Sequence, residues 1–121
     1  MKGVAYWFFL SGVIYVTLGM LWGIEMGIRQ SFAMAPAHAH LNLAGWVTMA
    51  LFGIYYHLVP RAAARGLARL HFAVATLGVF GLVPGIAVSV ATGSEGLVIA
   101  GSLLTFASML IFLYTVATTR G

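Results

Sequence analysis

Four histidines, His38, His40, His57 and His71, together with Met20, Met26 and Met34, are the side chains of this sequence best suited to chemistry. Imidazole is the usual proximal ligand of heme iron, and imidazole with thioether suits copper. The sequence has no cysteine, which excludes a thiolate zinc site, a disulfide framework and a covalent heme-attachment motif. Any metal must therefore be held by His, Met or oxygen. His38 and His40 are two residues apart, about 200° around an α-helix, so they face opposite sides and do not readily chelate one ion. The His38 side continues through Asn42, Gly45, Met49, Phe52 and Tyr56, and the His40 side through Ala44, Val47, Leu51 and Leu58. Ala35, Ala37, Ala39, Ala44 and Gly45 leave room beside either imidazole for a large planar group. Three readings follow from these residues: heme at His38 or His40, copper at Met26, Met34, His38 and His40, or hydrogen bonding alone. His57 and His71 are secondary candidates, with hydrogen bonding close to the lipid headgroups as their plainer role, and Met20 is a further secondary ligand candidate.

The elements that position these residues follow from composition. Of 121 residues, 62% are hydrophobic and 7% charged, and the mean hydropathy is +1.04. Eight charges cannot cover the surface of a water-soluble domain of this length, so a bilayer must be the solvent. The charges leave four uncharged stretches, 3–24, 30–60, 70–94 and 96–119. Each is long enough for the roughly 20 apolar residues that a helix needs to cross a bilayer. The expectation is an all-α integral membrane four-helix bundle in a single domain, 1–121, with helices near 3–28, 36–60, 66–92 and 96–119. The first stretch is too long for a signal-peptide core and lacks a small-x-small exit before Glu25, so it reads as a helix. Turn chemistry marks the loops at Ser31–Pro36, Val59-Pro60 and Thr92–Gly96.

With the amino-terminal side cytoplasmic, the inner loops and ends carry Lys2, Arg61, Arg65, Arg69 and Arg120 against Arg29 alone outside, which sets both termini in the cytoplasm. This distribution accounts for the net charge of +4 better than a nucleic-acid partner would, and no nucleic-acid role is expected. Gly12, Gly19, Gly23 and Gly27 line one face of the first helix, a groove for close packing against another helix of the chain or against a second copy. Pro84 lies inside the third helix and should kink it.

The run Ala37-His38-Ala39-His40-Leu41-Asn42-Leu43-Ala44-Gly45-Trp46, then Gly53, Tyr55-Tyr56 and Leu58-Val59-Pro60-Arg61, resembles the H-x-H…G-W…Y-Y…L-V-P-R helix of the catalytic subunit (subunit I) of cbb-type heme-copper oxidases, relatives of the nitric oxide reductases. His71-Phe72-Ala73-Val74-Ala75-Thr76-Leu77-Gly78 is similar to the H-F-W-x-A-T-x-G opening of that subunit's next helix. The resemblance is specific over the second and third helices and only compositional elsewhere. It implies that His38 matches the high-spin heme ligand and His40 one low-spin heme ligand. The family's three copper-ligating histidines and its early-helix axial histidine have no counterpart here, so oxygen or nitric oxide reduction by this chain alone is not expected.

His71 cannot complete an axial pair with His40. From His40 to Pro60 is about 30 Å of helix, and His71 begins the return at that far end, a mismatch of roughly 20 Å or more. The second ligand is then the same histidine of another copy, or Met20, Met26 or Met34, or the iron is five-coordinate. The expected protein binds heme b in a bacterial inner membrane, in contact with lipid. It acts in electron transfer or as a small subunit of a respiratory or denitrification complex, as a homo-oligomer or within that larger assembly.

Overall fold

The computed structural model describes residues 1–120 and is all-helical over them. Its elements are α1 (Gly3–Arg29), α2 (Ala35–His40), a π-helical stretch (Leu41–Val47), α3 (Thr48–Leu58), α4 (Pro60–Ala63), α5 (Gly66–Thr92) and α6 (Gly96–Thr118). Three of these, α1, α5 and α6, are each long and apolar enough to cross a membrane.

Local chemistry sets the helix ends. Gln30, left-handed at φ 56°, closes α1: its N–H donates to the Gly27 carbonyl and that of Ser31 to the Met26 carbonyl, a Schellman pattern. Gly93, at φ 78°, ends α5 in the same region, where a glycine meets no Cβ penalty. α3 stops at Leu58, short of the expected limit at Pro60. Val59 leaves helical geometry at φ −124°, ψ 77° because the following proline ring crowds an α-helical residue before it. Pro60 then opens α4, where its missing N–H costs nothing. Pro84 does not interrupt α5, which runs unbroken from Gly66 to Thr92.

The helices associate through small residues. Bringing a Cβ to Gly81 would place it 2.7 Å from the Cα of Gly101, and at Gly85 2.6 Å from the Cα of Val98, so α5 and α6 touch backbone to backbone. The glycine face of α1 is used within the chain. Gly12 lies under the Trp46 carbonyl, Gly19 receives the Asn42 side chain and Gly23 the His38 ring, while Gly27 alone faces open space. This removes the glycine face as an argument for self-association, because a neighbouring helix already fills most of it. Where α3 approaches α5 and α6 the gap is wider, and rings fill it. Phe8 stacks on Tyr56 at 5.5 Å and meets Phe52, His71 and Phe72, and Phe112 closes the far side 4.5 Å from Phe52.

Charge is segregated along the bundle. Arg65 donates to the Thr118 hydroxyl (2.7 Å) and carbonyl (3.1 Å), and Arg61 to the Arg120 carbonyl, so two guanidinium groups cap the carbonyl end of α6. Lys2 lies at this same end, sharing a cavity wall with Pro60 and Ala63. Glu25, paired with Arg29 at 2.7 Å, and Glu95 lie at the opposite end, where α1 finishes and α6 begins.

Candidate functional site

His40 is the last residue of α2, exposed on the flank of the helix that faces α5 and α6. Its Nδ1 stands 2.8 Å from the Pro36 carbonyl oxygen one turn back. A carbonyl can only accept, so Nδ1 carries a proton and donates, and whenever the ring is neutral its lone pair lies on Nε2. That is the tautomer a metal-ligating imidazole needs, and the carbonyl fixes the ring's direction.

The imidazole lines a groove with a cavity volume of about 350 Å³ between the α2–α3 run, α5 and α6. Its walls are Ala44, Thr48, Met49 and Phe52 on one side and Ala75, Val79 and Leu82 of α5 on the other. Ser102, Thr105, Phe106, Ser108 and Met109 of α6 close it. Volume and mostly apolar walls fall in the range of small-molecule and cofactor sites. The Thr105 hydroxyl is buried without a hydrogen-bond partner.

The π-helical stretch changes which residues accompany His40. On a uniform α-helix Met49 and Phe52 belong to the His38 side, but i→i+5 turns wind less per residue and bring both into the His40 groove. Val47 and Leu51, expected beside His40, are exposed outside it. Thr48 follows the stretch, and its hydroxyl donates to the Leu43 carbonyl five residues back at 2.9 Å, a bond that suits the widened turn.

His38 faces the other way, onto α1. A Cβ at Gly23 would sit 3.1 Å from its Cε1, and the Trp22 ring stands edge-on to it at 6.5 Å and 86°. Its Nδ1 and the Asn42 Oδ1 are both buried without partners. Neither Asn42 nor Tyr56 hydrogen-bonds to His38, although both share its α-helical face in the sequence. Tyr56 is engaged elsewhere.

That engagement is with His71, which is fully buried. The Tyr56 hydroxyl shares a 2.8 Å hydrogen bond with His71 Nδ1, and Ser108 Oγ lies 3.1 Å from Nε2. Phe8, Phe52 and Phe112 surround the ring. Both nitrogens are occupied, so His71 has no lone pair to offer a metal without breaking a bond. Nothing local in the sequence announces Ser108 as its partner, 37 residues away on α6. His57 is exposed and lines a cavity at the basic end with Lys2 and Pro60.

Met20 is exposed on α1, Met26 is buried and Met34 half-buried before α2, and none of the three lines the groove of His40. The thioethers that do are Met49 and Met109. Among the described residues no group of three or more His, Cys, Asp or Glu converges on a point.

No family model matches the chain, and no solved structure matches it. A stretch of 47 residues is 43% identical to the cbb3-type cytochrome c oxidase subunit CcoN1 of Stutzerimonas stutzeri. The match covers 34% of this chain and 10% of that protein, so the chain corresponds to about a tenth of the relative's length. In sequence, then, about a third of this chain is similar to one segment of a cbb3-type oxidase subunit.

Proposed function

We propose that this is a heme b-binding integral membrane protein that takes part in electron transfer, either as a small accessory subunit of a respiratory or denitrification complex or as a homo-oligomer. In this reading the α2–α3 run is a fourth span, the basic end is cytoplasmic and the membrane is a bacterial inner membrane. The observation that carries it is the His40 imidazole, with Nδ1 committed to the Pro36 carbonyl and the ring beside an apolar groove. The partial similarity to an oxidase subunit adds support.

A bound heme would supply one-electron chemistry at its iron. The chain's own contribution is orientation and exclusion of water. The Pro36 carbonyl holds the imidazole in one tautomer, Ala44 and Ala75 offer low walls for a flat ligand, and Phe52 and Phe106 exclude water. His38, turned to α1, serves a separate role from His40. A copper site needing both imidazoles is disfavoured by their divergence, and Met26 and Met34 stand outside the groove of His40.

The test is an absorption spectrum and a pyridine hemochrome assay on protein purified from membranes and supplied with heme. The expected result is a Soret band with a b-type hemochrome, lost in His40→Ala and retained in His38→Ala. Copper by metal analysis with no Soret band, or a spectrum indifferent to His40→Ala, would overturn the reading.

A further inference from the structure

The basic end carries Lys2, Arg61, Arg65, Arg69 and Arg120, but these five do not do the same work. Arg65 donates to the last residue of α6, Thr118, and Arg61 to the Arg120 carbonyl just beyond it. Lys2 and Arg69 are exposed, and both glutamates of the chain lie at the opposite end. Each of these two cations lines its own cavity, of about 610 Å³ for Lys2 and 390 Å³ for Arg69, and the two cavities share Gly3, Val4 and Ala63 as a common wall. The Arg69 cavity is a slot between helices. Val4 and Trp7, one turn apart, form its α1 side, and Arg69 and Phe72, also one turn apart, its α5 side. Trp7 is 55% exposed, as a residue at a membrane–water boundary would be.

We propose that this slot binds an anionic membrane phospholipid, its phosphate between Lys2 and Arg69 and an acyl chain lying against Trp7 and Phe72. Charge complementarity selects the headgroup, because among the described residues neither Lys2 nor Arg69 has an acidic partner, and a zwitterionic lipid would meet these cations with its own ammonium as well as its phosphate. The apolar pair one turn deeper selects a lipid over a free phosphate, since inorganic phosphate would leave Trp7 and Phe72 without a partner. The proposal rests on the helices spanning a bilayer but not on heme. Resistance of the membrane-bound protein to carbonate extraction checks the spanning reading by itself.

The experiment is native mass spectrometry of the protein purified from membranes, offered phosphatidylglycerol and phosphatidylcholine with identical acyl chains in equal amounts. The expected result is a preference for phosphatidylglycerol on the order of tenfold or more. Lys2→Gln and Arg69→Gln should each reduce it about five-fold, while Arg29→Gln at the opposite end leaves it unchanged. Circular dichroism of each variant confirms that its helices are intact. Equal retention of the two lipids by the unaltered protein, an undiminished preference in both Lys2→Gln and Arg69→Gln, or displacement of the lipid by equimolar inorganic phosphate would each overturn the proposal.

Discussion

At the scale of single residues, three of the four imidazoles differ in what their nitrogens are free to do. His40 donates from Nδ1 and keeps Nε2 open, His71 uses both nitrogens, and His38 has a buried Nδ1 with no partner. His71→Ala should therefore leave any heme spectrum in place and act on stability. It strands the Tyr56 hydroxyl and Ser108 Oγ in the core and empties a space ringed by Phe8, Phe52 and Phe112. A destabilisation of about 1–3 kcal/mol is expected, readable as an earlier loss of helicity on heating or in denaturing detergent. His71→Ala matching the unaltered protein in stability while losing the heme spectrum would reverse the roles assigned to His71 and His40. Gly23→Leu should displace the His38 ring and part α1 from α2, lowering stability while His40 keeps its hydrogen bond to Pro36 and its groove on the far side of the helix.

Elements decide how these residues combine, and the π-helical stretch is the clearest case. A π turn is equivalent to one extra residue within an α-helix, so deleting the exposed Leu43 should return the stretch to α geometry. Helix content by circular dichroism should be unchanged, and because the lost residue offsets the winding that the π turn withholds, residues after the deletion keep their direction relative to His40 and the groove keeps Met49 and Phe52 in its wall. Heme retention with intact helicity is the expected outcome; loss of heme would mean that the π stretch itself, and not only the phase it gives α3, shapes the site. The α5–α6 contact offers a second measurement. Gly81→Ala puts a methyl group against the backbone of Gly101, and forcing these helices apart should cost about 1–3 kcal/mol, since neither side has a flexible atom that can yield. Two of the groove's walls belong to these helices, so the same change should loosen the site.

For the whole molecule, segregation of charge bears on orientation and the groove bears on assembly. Reporter fusions placed after Arg65 and after Ser94 should report the cytoplasmic and the outer side respectively, because the five cations gathered at one end resist translocation. The opposite pair of signals would invert the orientation, and two like signals would remove α5 as a span. One chain presents one oriented imidazole to the groove, and in the proposed homo-oligomer a second His40 at the same depth of a parallel dimer would be the partner ligand of a six-coordinate heme. Heme titration should then end near one heme per two chains with a low-spin spectrum. Saturation at one heme per chain would instead assign the partner to the same chain, with Met49 and Met109 as the thioethers in reach of the groove, or leave the iron five-coordinate.

Composition and spacing determine much of this protein before any coordinate is considered. Sparse charge between long, continuously apolar stretches demands helices in a bilayer-like solvent, since only helices and closed barrels satisfy backbone groups there and barrel strands alternate apolar with polar residues. The opposed directions of His38 and His40 are likewise local, fixed by two residues of helical rotation, and the positions of Pro60 and Gly93 foretell where helices stop. What the tertiary structure alone decided are contacts between residues far apart in sequence. The partners of His71 come from α3 and α6, the glycine face of α1 is filled by Asn42 and His38, and the groove draws Ala75, Thr105 and Met109 from two further helices. A side chain's rotation about its own helix follows from the chain's local geometry, but its neighbour depends on how whole helices pack. In a sequence this uniformly apolar nearly every helix face is compatible with either lipid or protein, and Met49 and Phe52 changed sides through a π turn that no residue pattern announces.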